Sequence, residues 1–255
     1  MAFLKIENKS IYYKFVNKNE NTENKPIIIF LHDGLGSVAQ WKDFPEILCK
    51  KLNVSGLLYD RYGHGKSEAL QEKRDVFFLN AEAKFLAKFI EDLKIKNKII
   101  LFGHSDGATI SLLFSGMYPQ KIKAVISEAH HVVIEEMVQK GIIETVEDFK
   151  NGKLKSLLEK YHGDKTESMF YGWANIWLSN EAKKWTALDF LNNITAPVLA
   201  MQGNDDKFAS IYQLKVIEFI CPNEKETHLL ENCKHIPHFQ QQDKVIELTT
   251  NFLKL

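Results

Sequence analysis

Short apolar runs of four to six residues recur along the chain. They occupy residues 26–31, 54–59, 99–102, 124–127 and 198–201. Runs of this length predict strands that are buried on both faces of a sheet. Between several of the runs the apolar residues follow helical spacing, as Phe78, Phe85 and Phe89 do. Strands that alternate with helices predict an α/β fold, with a mostly parallel central sheet and helices on both of its faces.

Two segments depart from this alternation. Residues 3–16 predict two short strands joined by a turn. Residues 130–193 show no buried strand pattern, and three helical patterns take its place, around residues 132–141, 146–161 and 168–185. We therefore predict a core formed by residues 1–129 and 194–255, with residues 130–193 inserted as a helical cap over the carboxyl end of the sheet.

The charge of the chain excludes some classes of partner. Its 255 residues contain 33 basic and 33 acidic residues, so the formal net charge is zero. A chain that binds nucleic acid or an acidic membrane surface normally has a basic excess, so we expect neither partner. Only Arg61 and Arg74 are arginines, and arginine is the residue best suited to hold carboxylates and phosphates with two hydrogen bonds. We expect a small-molecule substrate that is not clamped by several arginines. The sequence does not indicate an oligomeric state.

The remaining composition predicts a cytoplasmic protein without a cofactor. Residues 1–10 lack the basic and apolar pattern of a signal peptide, and no apolar run approaches the ~20 residues of a membrane span. The three cysteines, Cys49, Cys221 and Cys233, do not have the spacing of a metal or redox site, so we expect reduced thiols. No metal or organic cofactor is predicted.

The segment Gly103-His104-Ser105-Asp106-Gly107 has the pattern of a nucleophile elbow. It directly follows a predicted strand and precedes a helical pattern, which places the serine on a tight turn above the sheet edge. Glycines on either side leave room for a crowded, strained turn. The first backbone N–H groups of the following helix are free to stabilise an oxyanion. The pattern alone is weak, because it also occurs by chance.

Four further segments strengthen the pattern, and together they resemble the α/β-hydrolase family. These are His32 to Gly36, Asp60 to Ser67, Gly203 to Asp206 and Cys233 to His238, all in the chain order typical of that family. The resemblance extends from about residue 26 to residue 239. Lys234 stands where many relatives have glycine, and the proline often found soon after the acid is missing. Neither departure removes a reactive group, so they concern loop geometry only.

The resemblance implies a role for each candidate residue. Ser105 is the nucleophile, His235 the base and Asp206 the acid that orients His235. The backbone N–H groups of Gly34 and Asp106 are the implied oxyanion donors. Asp205 remains an alternative to Asp206, and His238 an alternative to His235. We expect His32 to be structural, and the other histidines to lie at the surface or to have their hydrogen bonds satisfied.

Some candidate substrate-binding residues have two interpretations at this stage. Phe170, Trp173 and Trp177 share a helical face, so they form the interior of the cap, the roof of a pocket, or both. Asp106 either interacts with the start of its helix or binds a substrate ammonium group. Some relatives that cleave amino-acid esters resemble this chain in having the same Gly-His-Ser-Asp-Gly run.

A Ser-His-Asp set predicts hydrolysis of a carboxylic ester, a thioester or an amide through an acyl-enzyme. Three alternatives remain: a hydrolase of carbon–carbon bonds in a vinylogous diketone acid, an aminopeptidase-like enzyme, and a non-catalytic small-molecule receptor of the same fold. Dehalogenases and epoxide hydrolases of similar fold have an aspartate nucleophile, so Ser105 argues against both. The fold alone cannot select among these functions.

Overall fold

The centre of the protein is an eight-stranded sheet, seen in a computed structural model that describes residues 2–255. The strands are β1 (Ala2–Ile6), β2 (Lys9–Val16), β3 (Ile27–Leu31), β4 (Ser55–Tyr59), β5 (Ile99–His104), β6 (Ile122–Glu128), β7 (Val198–Gly203) and β8 (Lys225–Leu230). Their spatial order is β1-β2-β4-β3-β5-β6-β7-β8. β1 and β2 are antiparallel to each other, β2 is antiparallel to β4, and all other pairs are parallel. The predicted fold class is therefore confirmed.

Ten helices accompany the sheet in the part of the chain that the structure describes. They are α1 (Phe44–Leu52), α2 (Phe78–Asp92), α3 (Asp106–Met117), α4 (Glu136–Lys150), α5 (Lys153–His162), α6 (Thr166–Trp177), α7 (Leu188–Leu191), α8 (Tyr212–Ile220), α9 (Pro237–Gln240) and α10 (Gln242–Leu253). No helix among residues 2–255 has both the length and the apolar character that a membrane span requires.

The apolar strands are buried because helices cover both faces of the sheet. Successive side chains of a strand point to opposite faces. Ile29 and Leu101 accordingly belong to one apolar cluster, whereas Phe30 and Phe102 belong to the other. Every residue of β3, β4 and β5 is buried. This arrangement explains why continuous apolar runs, without alternation, predicted these strands correctly.

Strand β8 was missed by the sequence analysis. It lies at the edge of the sheet and pairs only with β7. Its sequence, Lys-Glu-Thr-His-Leu-Leu, is largely polar, and five of its six residues are exposed or half-buried. An edge strand needs only backbone pairing along one side, so its residues do not form the apolar run that marks a central strand.

The helices between β6 and β7 differ in their bounds from those predicted. α4 is one continuous helix through residues 142–145, where a break was predicted, and the break falls at Gly152 instead. Gly152 has a φ of 88°, a conformation that favours glycine. Residues 132–135 are not helical, because the side chain of Gln213 accepts a hydrogen bond from Val132 N–H (2.8 Å) and donates one to Val133 O (3.0 Å). Trp185 lies beyond the end of α6.

Candidate active site

Ser105 lies at the junction of β5 and α3, in a backbone conformation that is rare for serine. Its φ and ψ are 54° and −119°. The turn is held by a hydrogen bond from Ser105 N–H to Glu128 O (2.8 Å) on the neighbouring strand β6. A Cβ at Gly107 would lie 2.0 Å from Leu31 O, so only glycine fits there. The crowding expected from the sequence is thus present, and it fixes the serine at the carboxyl end of the sheet.

The side chains of three separate loops, those of Ser105, His235 and Asp206, form one line of hydrogen bonds. His235 Nε2 lies 3.0 Å from Ser105 Oγ, and His235 Nδ1 lies 2.7 Å from Asp206 Oδ2. Asp206 also accepts hydrogen bonds from Gln202 Nε2 (2.5 Å) and Phe208 N–H (2.8 Å). Burial raises the pKa of the Asp206 carboxyl, but the charge and hydrogen bond of His235 lower it more, so the net shift is downward. An ionised Asp206 holds the Nδ1 proton of His235 and leaves Nε2 free to accept the serine proton.

The two alternative residues lie elsewhere. Asp205 is exposed, and its backbone N–H donates to Cys233 O (2.8 Å). His238 is buried, with Nδ1 2.6 Å from Glu128 Oε2 and its ring against Trp41. The hydrogen-bonded line to Ser105 therefore includes neither residue.

A cavity of about 110 Å³ opens onto Ser105 and His235. Its lining includes Val138, Ile142, Trp173 and Trp177 from the helices between β6 and β7. Those helices thus form one wall of the cavity, although the division of the chain into a core and a cap stays a prediction. A larger cavity of about 250 Å³ shares only Asp33 with it and is lined by neither Ser105 nor His235.

The three aromatic residues expected at the substrate are not equivalent. Trp173 and Trp177 line the cavity. Phe170 does not line it: its side chain is fully buried, and its ring stacks on that of Phe149 at 3.8 Å. Phe170 therefore belongs to the interior of the helical segment, because its fully buried side chain has no surface left for a ligand.

Gly34 lies against the ring of Trp173. A Cβ at Gly34 would lie 2.2 Å from Trp173 Nε1, so the close approach of the two elements requires glycine. Gly34 lines the cavity together with Ser105 and Asp106. Asp106 is the first residue of α3, where backbone N–H groups have no acceptor within the helix. The two predicted oxyanion donors therefore border the same cavity as the serine.

The Asp106 side chain is part of an internal charge pair that the sequence analysis did not anticipate. It is 1% exposed, and Arg61 Nη2 lies 3.8 Å from Asp106 Oδ2. Burial raises the pKa of Asp106 to about 6, although Arg61 and Arg74 act in the opposite direction. Within the described residues, Asp106 Oδ2 has no hydrogen-bond partner. Its main electrostatic partner is thus Arg61, which neither earlier interpretation included.

His131 corrects the expectation that the remaining histidines lie at the surface or are satisfied. It is buried, lines the cavity, and packs its ring against that of His235 at 6.1 Å. Within residues 2–255, no hydrogen-bond partner faces its Nδ1 atom. Burial lowers the pKa of His131 to about 3, so the ring is neutral. No sequence motif pointed to this residue, because its place depends on the chain's path after β6.

His104 holds the backbone of His235 in place through a hydrogen bond. Its Nε2 atom donates to the backbone carbonyl of His235 (2.7 Å), and its Nδ1 atom lies 3.4 Å from Asp33 Oδ2. Burial lowers the pKa of His104, but the hydrogen bond and charge of Asp33 raise it more, so the net shift is upward. A protonated His104 can donate from both nitrogens, which ties the histidine loop to the loop that follows β3.

The described part of the chain contains no group of three or more His, Cys, Asp or Glu side chains that could hold a metal ion. The three cysteines are buried and unpaired. The reactive groups that lie together at this site are the hydroxyl of Ser105, the imidazole of His235 and the carboxylate of Asp206.

Comparison with known proteins identifies the class. The model of one family, described as the alpha/beta hydrolase fold, matches residues 26–163, which is more than half of the chain. The chain belongs to the α/β hydrolase family. Among solved structures, it resembles MGS-M2, an alpha/beta hydrolase enzyme from a deep-sea metagenome library, with a TM-score of 0.81 and 18% identity over 100% of this chain and 98% of the other.

Two relatives of similar sequence have the names of hydrolases. The chain is 24% identical to a proline iminopeptidase of Saccharolobus solfataricus over 99% of its own length and 91% of that protein. It is 29% identical to a protein of Mycoplasma genitalium named as an esterase/lipase, over 78% of this chain and 70% of the other. Fold, family and relatives define a hydrolase of the α/β fold.

Proposed function

We propose that the protein is a serine-dependent hydrolase of small carboxylic esters, with Ser105, His235 and Asp206 as its catalytic triad. The observation that carries this proposal is the unbroken line of hydrogen bonds, 3.0 Å from Ser105 Oγ to His235 Nε2 and 2.7 Å from His235 Nδ1 to Asp206 Oδ2. The same chemistry extends to thioesters and to amides, of which amides are the most demanding because an amine is the poorest leaving group.

In the proposed mechanism, Ser105 Oγ attacks the acyl carbon while His235 Nε2 takes its proton. The carbonyl oxygen of the substrate becomes an oxyanion that accepts hydrogen bonds from Gly34 N–H and Asp106 N–H. His235 then returns the proton to the leaving alcohol, and an acyl-enzyme remains. Water attacks this ester by the same steps in reverse order and frees the acid.

The walls of the cavity favour a short, uncharged acyl group. Its volume of about 110 Å³ is below the ~300 Å³ at which pockets for drug-sized ligands begin. Val138, Ile142 and Trp177 contribute apolar surface, and the only carboxylates among the lining residues, Asp33 and Asp106, have cationic partners of their own. A substrate ammonium group would compete with Arg61 for Asp106, so an amino-acid ester is the less favoured substrate.

The test compares Ser105→Ala with Ser115→Ala. Ser115 is a buried serine of α3, the helix that directly follows Ser105, and its hydroxyl donates to Ser111 O (2.8 Å). We expect Ser105→Ala to lower kcat on a nitrophenyl butyrate by ~10⁴-fold or more and to abolish labelling by a fluorophosphonate probe, whereas Ser115→Ala retains both. Full labelling of Ser105→Ala would contradict the proposal.

A substrate panel separates the remaining functions. It contains nitrophenyl esters of short acids, an amino-acid ester, a proline nitroanilide and a dienone acid. We expect the highest kcat/KM on the short uncharged esters. Faster turnover of the dienone acid would favour carbon–carbon hydrolysis, and faster turnover of the proline nitroanilide would favour an aminopeptidase. Binding without turnover of any substrate would favour a receptor.

A further inference from the structure

Three hydrogen-bond donors converge on one carbonyl oxygen in the loop that follows β3. Asp33 O accepts hydrogen bonds from Arg61 Nη2 (2.6 Å), His32 Nδ1 (2.8 Å) and Gly36 N–H (3.2 Å). A carbonyl oxygen has two lone pairs, so three donors exceed its usual complement. One of the three carries a full positive charge. This concentration of donors on a single loop carbonyl calls for a physical role.

His32 is fixed as a donor to this oxygen by its other nitrogen. His32 Nε2 accepts the backbone N–H of Arg61 at 3.0 Å. Burial lowers the pKa of His32 well below its ordinary value, so the ring is neutral and carries one proton. Because Nε2 is the acceptor, the proton is on Nδ1, and it points at Asp33 O.

Arg61 is committed to the same oxygen. Its side chain is fully buried, and within the described residues Nε and Nη1 make no hydrogen bond. The hydrogen bond from Nη2 to Asp33 O is the one that the guanidinium makes in the described part of the chain. Burying an arginine is costly, so its placement against one peptide group indicates a specific use.

The peptide that contains Asp33 O also contains Gly34 N–H. In a trans peptide the C=O and N–H bonds point in opposite directions, and resonance couples them. Donors on the oxygen draw electron density from the nitrogen, which makes the N–H a stronger donor, as in any polarised chain of hydrogen bonds. The Gly34 side of this peptide borders the cavity that holds Ser105.

We propose that Arg61 and His32 are positioning residues that polarise the Asp33–Gly34 peptide and so strengthen the Gly34 N–H as an oxyanion donor. This inference rests on the proposed function. Arg61 also pairs with Asp106, which contributes the second donor, so one buried guanidinium holds both sides of the oxyanion site.

The chain provides a matched control in Arg74, its only other arginine. The Arg74 side chain is only 7% exposed, pairs with the carboxylate of Glu82 (3.3 Å) and donates to a backbone carbonyl, Tyr62 O (2.9 Å). It makes no hydrogen bond to the Asp33–Gly34 peptide. Replacing either arginine by methionine removes a buried charge, but only Arg61→Met removes the polarising group.

We expect Arg61→Met to lower kcat by roughly 10-fold or more at an unchanged KM, a fraction of the ~100-fold or greater loss that follows deletion of an oxyanion donor. A trifluoromethyl ketone forms a serine hemiketal whose oxyanion uses the same N–H, so its Ki should rise by the same factor. Arg74→Met should lower the melting temperature to a similar extent and leave kcat and Ki within about 2-fold of wild type. Equal losses of kcat in the two variants would overturn the inference.

A pair of substitutions at His32 keeps the inference testable if Arg61→Met does not fold. An Asn amide nitrogen occupies the position of Nδ1, so His32→Asn retains the donor to Asp33 O. A Gln side chain reaches the position of Nε2, so His32→Gln retains the acceptor for Arg61 N–H and loses the donor. We expect the larger loss of kcat in His32→Gln, and the opposite order would overturn the inference.

The proposed function and this inference fail in different ways. If the fluorophosphonate probe does not label Ser105 in the wild-type protein, the proposed function fails. If Ser105 is labelled and esters are hydrolysed, but Arg61→Met and Arg74→Met lower kcat equally, only the inference fails.

Discussion

The two sides of the cavity are built from different kinds of residue. The side formed by the loops at the strand ends contains Ser105, Asp106 and His235, and Asp206 lies behind His235. The side formed by the helices between β6 and β7 contains mainly apolar residues, such as Val138 and Ile142. Reactive and charged groups therefore belong to one side, and most of the shape of the cavity to the other.

The two sides of the cavity should tolerate different substitutions. On the loop side, each reactive group has a defined hydrogen-bond partner at a fixed distance, and the loss of one partner leaves a buried polar group unsatisfied. On the helical side, walls are held by packing, and apolar packing tolerates changes that conserve volume. Changes on the loop side should therefore affect the rate, and changes on the helical side should affect substrate choice.

After Ser105→Ala, the largest effect is expected from Asp206→Asn. It removes the negative charge that stabilises the protonated His235 during catalysis, and the expected loss of kcat is ~10³-fold to 10⁴-fold. Asp205→Asn is the control, because Asp205 is adjacent and exposed, and the carboxylate against His235 Nδ1 is that of Asp206. Its kcat should stay close to that of wild type. The measurement is kcat on the same nitrophenyl ester, and equal losses would contradict the assignment of the acid to Asp206.

A smaller effect, on selectivity, is expected from Ile142→Ala on the helical side. Ile142 is 1% exposed and lines the cavity, whereas the adjacent Ile143 is 53% exposed. Removing three carbons from the wall should shift the ratio of kcat/KM for a hexanoyl over an acetyl ester by ~10-fold or more, since each methylene contributes that order of discrimination. Labelling of Ser105 should persist. Ile143→Ala should leave the ratio unchanged, and a shift of the same size there would place the acyl site elsewhere.

The smallest effect is a pH dependence of stability from the Asp33–His104 pair. The pKa of His104 is raised, so its contribution is complete below ~6.5 and is lost as pH rises through the folded pKa. The pKa of Asp33 is lowered, with burial opposing the stronger effect of His104, so its contribution is present above ~4 and is lost at lower pH. The pair therefore stabilises most between about pH 4 and 6.5.

Asp33→Asn should weaken the fall in melting temperature from pH 6.5 to pH 8.5. A change of 1 kcal/mol corresponds to about 2–4 °C for a domain of roughly this size. The exposed Asp43 offers a control, since its side chain makes no capping hydrogen bond at α1. Asp43→Asn should keep the wild-type profile. An identical slope in all three proteins would mean that the Asp33–His104 pair does not contribute.

The sequence by itself determined the elements whose environment restricts the residue types that they can contain. The central strands were predictable because both of their faces are buried, so almost every residue must be apolar. Ser105 was predictable because its turn imposes glycine on both sides. Asp206 and His235 were predicted from the resemblance of their loops to those of the α/β-hydrolase family, and their roles stay a prediction.

Tertiary structure decided the features that depend on contacts between distant segments. The polar strand β8 exists because β7 offers it a pairing edge, and residues 132–135 are not helical because Gln213 binds the backbone of Val132 and Val133. Phe170 turned away from the cavity through its stacking on Phe149, and His131 entered it without any local motif. Arg61 lies 28 positions from Asp33 and His32 is its neighbour, yet both donate to Asp33 O. No sequence pattern predicts that these two donors share one oxygen. Hydrogen bonds and packing of this kind arise only when the chain has folded, because their energy depends on distances that sequence separation does not fix.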